Sequence, residues 1–139
     1  MSRGFKIMDP ALFAAVSLFS TTTNMFPFDY YETDNLLTFL VREDEFHPVP
    51  KTVLQELSRQ LKKRVRVVAF SEDLETFVKR LFAPAKVEWI REKVGAKRIL
   101  LVKVDAFQKG IALGRNAAKL KTARYFLNKY FKIDSIRIV

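Results

Sequence analysis

Residues 109–119 read KGIALGRNAAK, and this stretch decides how the rest of the sequence is interpreted. An apolar run precedes it, two glycines frame a turn within it, and a segment bearing Lys and Arg at helical spacing follows. Glycine permits tight turns and close approach of a ligand to the main chain, because it has no Cβ. Exposed amides at the start of a helix are suited to binding a phosphate. The stretch therefore predicts a strand, a phosphate-binding glycine loop and a basic helix.

The positive charge of the chain is concentrated around this loop. Residues 84–139 contain 14 Lys and Arg against 4 Asp and Glu, whereas residues 1–83 contain 11 against 11. The net charge of +10 therefore belongs to the second half of the chain. A basic domain of this kind most often binds a polyanion, and nucleic acid is the commonest polyanion.

The composition indicates a folded protein of one ordinary domain or two small ones. The chain has 139 residues, of which 49% are hydrophobic, and it has no Cys. The lack of Cys excludes disulfides, thiolate nucleophiles and Cys-based metal sites, and it predicts a reducing, cytoplasmic location. The apolar segment 11–19 is too short to span a bilayer and lacks the flanks of a signal peptide. We therefore expect a core helix there and no membrane partner.

The first half of the chain predicts a helix, two strands, a helix and a strand. The first helix begins at Asp9 and Pro10 and extends to about Phe19, because TTTN at 21–24 is typical of a helix end. Strands follow at 26–32 and 36–42, a helix at about 51–62, and a strand at 65–70.

The second half predicts the same order with an insertion. Ser71, Glu72 and Asp73 cap a helix that ends at Ala83 and Pro84. Strands at 87–94 and 98–105 are joined by a turn at Gly95, and the glycine loop, a helix at about 116–131 and a strand at 136–138 follow.

Short residue matches support a duplication. Residues 39–46, FLVREDEF, resemble 100–107, LLVKVDAF, at an offset of 61, and 57–62, LSRQLK, resemble 127–132, LNKYFK, at an offset of 70. Between these blocks the second copy is nine residues longer, and the glycine loop lies there. The alternative explanation of these short matches is chance similarity between two helix–strand units.

With IALGRNA at 111–117 before a basic helix, this order of elements resembles a type II KH domain. Two such units in tandem, with SED at 71–73 and LFAPAKV at 81–87 at their junction, resemble the archaeal NusA-like transcription factors over nearly the whole chain. The resemblance implies an α+β fold of two tandem type II KH domains with the order α-β-β-α-α-β. Each would be a small three-stranded sheet with helices packed on one face, the degenerate first domain at 1–71 and the second at 72–139.

The sequence departs from the family pattern at two places. The family signature is Gly-x-x-Gly, but Ala117 occupies its fourth position. In the first unit HPVPK at 47–51 replaces the loop, and no glycine occurs between Phe5 and Val94. We therefore expect RNA contact from the second unit, with the first unit degenerate.

The loop chemistry and the KH resemblance together give a set of RNA-binding residues. The resemblance implies that the loop clamps about four nucleotides against the sheet edge. The predicted residues are Lys109, Gly110, Ile111, Leu113, Gly114, Arg115, Asn116, Ala117, Lys119, Lys121, Arg124 and Arg137.

These residues have different expected roles. Residues 114–117 would face the sugar-phosphate chain, Gly110 would leave room for its approach, and Lys109 and Lys119 would add charge. Lys121 and Arg124 share a helix face with Asn128, and Arg137 would reach a base or a phosphate. The apolar floor of a base groove would consist of Ile111, Leu113 and Ile138.

Several of these residues also have a plain structural interpretation. Without the charge asymmetry, Lys121 and Arg124 would be equally consistent with a solvated helix face. Residues such as Ile111, Leu113 and Ile138 are more often plain core than a surface for bases. Tyr125, Phe126 and Tyr130 are more consistent with core or helix-flank positions than with base stacking. Trp89 is interpreted as a core residue or a contact between the two units.

The sequence favours an RNA-binding protein over an enzyme. No P-loop, dinucleotide fingerprint, zinc pattern or nucleophile elbow occurs, and the single His47 has no catalytic surroundings. Glu43, Asp44 and Glu45 are interpreted as a solvated turn rather than a cation site. We expect no cofactor, no metal and no small-molecule substrate.

The expected function is binding of single-stranded, nascent RNA during transcription elongation, termination or antitermination. Single-stranded DNA is not separated from RNA by the sequence. The transcription role is implied by the resemblance alone. One alternative is a ribosome-associated KH protein that binds rRNA. Another is a first unit that docks on RNA polymerase through Phe26, Phe28, Tyr30 and Tyr31.

Overall fold

Two three-stranded sheets organise the chain in the computed structural model, which describes residues 10–139. The first half contains α1 (Pro10–Thr23), β1 (Asp29–Glu32), β2 (Leu36–Val41), α2 (Lys51–Leu61) and β3 (Arg64–Ala69). The second half contains α3 (Leu74–Phe82), β4 (Val87–Val94), β5 (Arg98–Val104), α4 (Lys109–Leu113), α5 (Ala118–Phe131) and β6 (Ser135–Ile138). Short 3₁₀ turns lie at Glu43–Glu45, Ala106–Gln108 and Arg115–Ala117.

The two sheets have the same pairing pattern. β1 pairs antiparallel with β2, which pairs parallel with β3, and β4, β5 and β6 repeat this order. A parallel pair needs a crossover, which α2 supplies in the first sheet and α4 with α5 in the second. The predicted α+β class is confirmed, and so is the predicted order of elements, except that the short helix α4 lies where the sequence predicted only a loop.

Both crossover helices end in the same way, 70 residues apart. Lys62 after α2 and Lys132 after α5 are in the left-handed conformation, with φ of 57° and 60°. Their amides donate to the carbonyls of Ser58 and Asn128. The offset in the sequence match therefore corresponds to equivalent positions in space.

The predicted cap of α3 is confirmed, whereas the predicted end of α1 is wrong. The Asp73 carboxylate accepts from the amide of Thr76 at 2.9 Å. The helix α1 continues through Thr23, whose hydroxyl donates to the carbonyl of Phe19 at 2.7 Å, and Asn24 then ends it at φ 62°. A Thr hydroxyl that bonds four residues back is satisfied inside a helix, so the Thr run does not break it. The expected start at Asp9 lies outside the described residues.

The first sheet lies between two layers of helices. On one face, Phe19 of α1, Phe39 of β2 and Leu57 of α2 form a core, and the rings of Phe19 and Phe39 stack with centroids 4.4 Å apart. On the other face, Leu40 and Val68 join the core made with α3 and α5. The helices of the first unit therefore pack on one face of its sheet, as expected, and helices of the second unit cover the other face.

The second sheet contributes one face to the same core as α3, α4 and α5. Leu100, Val102 and Ile136 are buried there. The layers therefore run helices, sheet, helices, sheet, and the far face of the second sheet stays open. No helix within residues 10–139 combines the length and the apolar character needed to cross a bilayer.

A buried carboxylate ties the two halves together. The side chain of Asp29 in β1 is 2% exposed and accepts from Nζ of Lys129 at 2.8 Å and from the hydroxyl of Tyr130 at 2.6 Å. Beside it, the rings of Tyr31 and Tyr125 stack with centroids 4.6 Å apart. Because these bonds join β1 to α5, they fix α5 against the first sheet.

The aromatic residues of α5 therefore pack inside the protein, as the sequence favoured. Phe126 is fully buried, and Tyr130 packs edge-on against Phe28 and Phe70. In the aromatic run that was expected to dock on a partner, Tyr31 packs against α5, whereas Phe26 is 68% exposed.

Candidate nucleic-acid interface

The glycine loop is an exposed bend between α4 and α5. Gly114 ends α4 with φ 76°, and Asn116 and Ala117 follow in the left-handed region with φ of 55° and 58°. Three residues with positive φ within four positions turn the chain sharply before the first turn of α5. Arg115 and Asn116 are exposed at the tip.

Gly114 is required by the fold, whereas Gly110 is not. A Cβ at Gly114 would lie 3.0 Å from the amide nitrogen of Lys119 and 3.1 Å from its Cγ, at a φ that side chains rarely adopt. A Cβ at Gly110 would meet nothing within 4 Å. Gly110 therefore leaves an open surface beside the loop, as a close backbone approach would need.

The amides around the loop tip bond to carbonyls of the loop itself. The amides of Gly114, Ala117 and Ala118 donate to the carbonyls of Gly110, Gly114 and Arg115, respectively. Arg115 and Asn116, between them, are exposed. Successive amides in a bend of this kind make a concave site for an anion, and the Arg115 side chain adds positive charge.

Lys119 is anchored away from the tip. Its ammonium group donates to the carbonyl of Ala83 at 2.9 Å, just after the end of α3. Burial lowers the pKa of Lys119 to about 8, and the charges of Arg66 and Arg64 act in the same direction. Arg66 itself donates to the carbonyls of Leu81 and Arg80, each at 2.9 Å. Lys119 thus holds the start of α5 against the end of α3, Arg66 holds β3 against the same end, and Lys119 remains protonated at neutral pH.

The predicted polar face of α5 is present beside the loop. Lys121, Arg124 and Asn128 are all exposed, and they line one groove with Tyr31 of the first unit and Lys129. Ala123 and Leu127 form the buried face, while Leu120 and Phe131 are only partly buried.

The three residues predicted to form an apolar floor for bases differ in solvent exposure. Ile111 is 46% exposed, whereas Leu113 and Ile138 are half-buried. Ile138 packs against the core of the second unit. Lys109 is exposed at the start of α4.

Arg137 lies on the other side of the second sheet from the loop. Its neighbour Ile136 is buried against the helices, so the alternation of β6 places Arg137 on the open face. The structure therefore does not bring Arg137 together with residues 109–124. The interpretation of Trp89 as core or as a contact between units is wrong as well, because Trp89 lies on this open face beneath Arg91.

The sequence analysis missed a basic groove on the first unit. The side-chain amide of Asn35 donates to the carbonyl of Arg115 at 3.1 Å, so the tip of the loop touches the turn between β1 and β2. Next to this contact, a groove between α2 and β3 is lined by several cations and one carboxylate. The charged residues are Lys51, Arg59, Lys62, Lys63, Arg64, Arg115 and Asp34.

This groove was hidden by the neutral charge balance of residues 1–83. Four acidic residues of this half, Glu43, Asp44, Glu72 and Asp73, line a separate cleft beside Phe28. The spacing of Lys51, Arg59 and Lys62 along α2 was the signal that could have revealed the groove. A sum of charges over a segment does not show how those charges are separated in space.

The acidic turn and the single histidine are engaged in local contacts. Glu43 pairs with Arg80 at 2.7 Å and Asp44 with Arg42 at 3.2 Å, and His47 is exposed. Over residues 10–139, no three metal-ligating side chains come together.

Comparisons with known proteins agree with this architecture. A protein of Halococcus morrhuae named "Probable transcription termination protein NusA" is 29% identical over 126 residues, which cover 88% of this chain and 91% of the relative. A protein of Thermoplasma acidophilum with the same name is 24% identical over 135 residues, covering 94% of each. Over most of its length, the chain is similar to archaeal NusA.

The chain is also similar to a solved structure. The crystal structure of APE1850 matches with a TM-score of 0.70 and 30% sequence identity, covering 91% of this chain and 96% of the other. The two proteins therefore share a fold across both sheets. No protein-family model matches the chain.

Proposed function

We propose that the protein is a non-enzymatic transcription termination factor of the NusA type that binds single-stranded RNA. The two units would be tandem type II KH domains, the first within residues 1–71 and the second within 72–139. The similarity to proteins named as transcription termination proteins supports the role in transcription. The loop between α4 and α5 supports RNA as the ligand.

The observation that carries this proposal is the exposed, left-handed bend at the loop tip. Arg115 and Asn116 are exposed there, next to the open surface of Gly110. A phosphate of the RNA backbone would accept from amides at such a bend, and the exposed Ile111 beside it is suited to a base.

The basic groove of the first unit gives the RNA a path beyond the loop. Asn35 joins that groove to the loop through the carbonyl of Arg115. A strand held at the tip would enter the groove beside Lys51 and Arg64, where phosphates would meet cations. Under this proposal the first unit contacts RNA without a glycine loop of its own. RNA polymerase is the protein partner that a role in termination implies.

A double substitution at the loop tip tests the proposal. Arg115→Asp with Asn116→Asp places two negative charges where the phosphate would bind, and Asp tolerates the left-handed backbone of Asn116. We expect the affinity for single-stranded RNA to fall by at least about thirtyfold, because repulsion replaces contacts that contribute roughly 2 kcal/mol. Fluorescence anisotropy with labelled RNA measures the affinity.

The control carries the same change in charge away from the loop. Arg42→Asp with His47→Asp alters two exposed side chains near the acidic turn. We expect RNA affinity to fall far less in this variant, and thermal unfolding of both variants to stay close to that of the original protein. Equal affinities for the loop variant and the control would contradict the proposal.

A further inference from the structure

The open face of the second sheet carries a regular set of side chains. In β5, Leu100, Val102 and Val104 are buried against the helices, so the alternate residues Ile99, Leu101 and Lys103 lie on the open face. The strand register then builds three rows across this face. They are Trp89 with Lys103, Arg91 with Leu101 and Arg137, and Lys93 with Ile99 and Ser135.

The charge of this face is mostly positive. Its basic residues are Arg91, Lys93, Lys103 and Arg137. The only acidic residues within β4, β5 and β6 are Glu88 and Glu92. Glu88 is exposed at the bulge in β4, beside Trp89 and Lys103, whereas Glu92 pairs with Arg98 at 2.6 Å on the side of the sheet that faces the helices. Arg91, Lys93 and Arg137 are thus left without a carboxylate opposite them in the strand register.

An aromatic ring and a guanidinium stack at one end of this face. The guanidinium carbon of Arg91 lies 4.4 Å from the centroid of the Trp89 ring. Guanidinium and indole planes are both surfaces on which unpaired bases stack in RNA-binding proteins.

A short exposed path joins this face to the glycine loop. Lys103 lies near the carboxyl end of β5, and the 3₁₀ turn Ala106–Gln108 leads from there to Lys109 and α4. Phe107 in that turn is 95% exposed. The turn is held by the Asp105 carboxylate, which accepts from the amide of Phe107 at 2.8 Å, and by Gln108, which accepts from the amide of Lys86 at 2.7 Å. An aromatic ring is therefore held in solvent on the segment that links β5 to α4.

We propose that the open face of the second sheet is a second RNA-binding surface. A strand that leaves the loop passes Phe107 and continues over Trp89 and Arg91, where its phosphates meet the four cations. This inference rests on the proposed function, because the same RNA occupies the loop. The charge of the face, with Phe107 on the path from the loop, favours a polyanion with exposed bases over an acidic protein segment.

The emission of Trp89 tests this directly, because it is the only tryptophan in the chain. Two RNAs are compared, one of about five nucleotides, close to the four that a KH domain holds, and one of about twenty. We expect the long RNA to quench the emission of Trp89 at saturation and the short RNA to leave it nearly unchanged. An unchanged emission with saturating long RNA would overturn the inference.

A matched pair of variants tests the cations. Arg91→Ala with Arg137→Ala removes two exposed charges from the open face, and Arg42→Ala with Lys79→Ala removes two exposed charges elsewhere. We expect the first pair to weaken binding of the long RNA about tenfold and to reduce the slope of log K against log salt by about 1.4. Binding of the short RNA should change little in either pair.

The outcomes separate this inference from the proposed function. If the loop variant Arg115→Asp with Asn116→Asp loses RNA affinity while the sheet variant matches its control on the long RNA, only the second surface is refuted. If the loop variant binds both RNAs as the original protein does, the proposed clamp is refuted, and the second surface falls with it. Capture of an acidic peptide by the sheet face, with unchanged RNA affinity of the sheet variant, would likewise refute it.

Discussion

Ala117 holds a left-handed backbone, with φ 58° and ψ 29°, directly before the first turn of α5. The preceding Asn116 has nearly the same geometry. Asn adopts this conformation at small cost, because its short polar side chain bonds locally, whereas for Ala the conformation costs roughly 1 kcal/mol or more. The fourth position of the loop is therefore strained, and glycine would relieve the strain.

Ala117→Gly should stabilise the protein. We expect the free energy of unfolding to rise by roughly 0.5 kcal/mol, because the relief of left-handed strain exceeds the extra entropy that glycine gives the unfolded chain. Urea denaturation followed by circular dichroism measures this change.

The neighbouring alanine is the matched control for that substitution. Ala118 has ordinary helical angles, φ −62° and ψ −39°, and is buried. Ala118→Gly should therefore lower the free energy of unfolding by roughly 1 kcal/mol. If both glycine variants were destabilised alike, position 117 would not be left-handed in solution.

At the scale of elements, local signals predicted the strands and caps, but the direction in which each element faces depended on neighbours distant in sequence. The Asp73 cap and the boundaries of β5 were predictable, because Asp at a helix start and a run of β-formers act locally. β5 reads RILLVKV, and such an unbroken apolar run does not show which side is covered. The placement of Arg137 and Trp89 therefore needed the burial of Leu100 and Ile136, which comes from packing against α5.

The same reasoning explains α5, whose apolar residues outnumber one helical face. Phe126 and Tyr130 share the helix face of Ala123 and Leu127, whereas Tyr125 lies outside it. All three rings pack against aromatic residues of the first unit, a partner that helical periodicity within α5 does not reveal. The candidate loop was predictable, because its glycines and basic residues lie next to one another in the sequence. The groove on the first unit was missed, because the acidic residues of 1–83 cancel its positive charge in a sum over that segment.

Lys119 of α5 donates to the carbonyl of Ala83 after α3, so the pH dependence of stability that it causes reports on the contact between these helices. Its pKa is lowered to about 8 in the folded protein, whereas an unfolded lysine titrates near pH 10.4. Below about pH 8 both states hold the proton, so this residue contributes no slope there. Between about pH 8 and about pH 10 the unfolded state binds more protons, so stability rises with pH through this residue.

Lys119→Met should remove this contribution while keeping the apolar part of the side chain. We expect the free energy of unfolding of the original protein, minus that of the variant, to increase from about pH 8 to about pH 10. Chemical denaturation across this range measures the difference, in which the titration of the other lysines and tyrosines cancels. A flat difference would mean that Lys119 is solvated and not held against α3.

At the scale of the whole molecule, the first sheet belongs to both hydrophobic cores. Phe39 and Val41 face α1 and α2, while Leu40 on the same strand faces α3 and α5. Asp29 adds a buried bond from β1 to α5. Separation of the units would expose the face of the first sheet that packs against α3 and α5, together with the aromatic residues of α5. The two units should therefore unfold together.

Leu57→Ala tests whether the two units unfold together, because it weakens only the core between the first sheet and helices α1 and α2. Leu57 is 1% exposed in the core between α2 and the first sheet, and its truncation should cost roughly 3 kcal/mol. Trp89 lies on the far face of the second sheet, so its emission reports on the other unit. We expect the urea midpoint measured by Trp89 emission to fall as far as the midpoint measured by circular dichroism, in one transition.

Ile111→Ala, at an exposed apolar position, should leave both midpoints nearly unchanged. If Trp89 kept its original midpoint while the helical signal fell in two steps, the units would be independent, and the fixed contact of Asn35 with the loop would lose its physical basis.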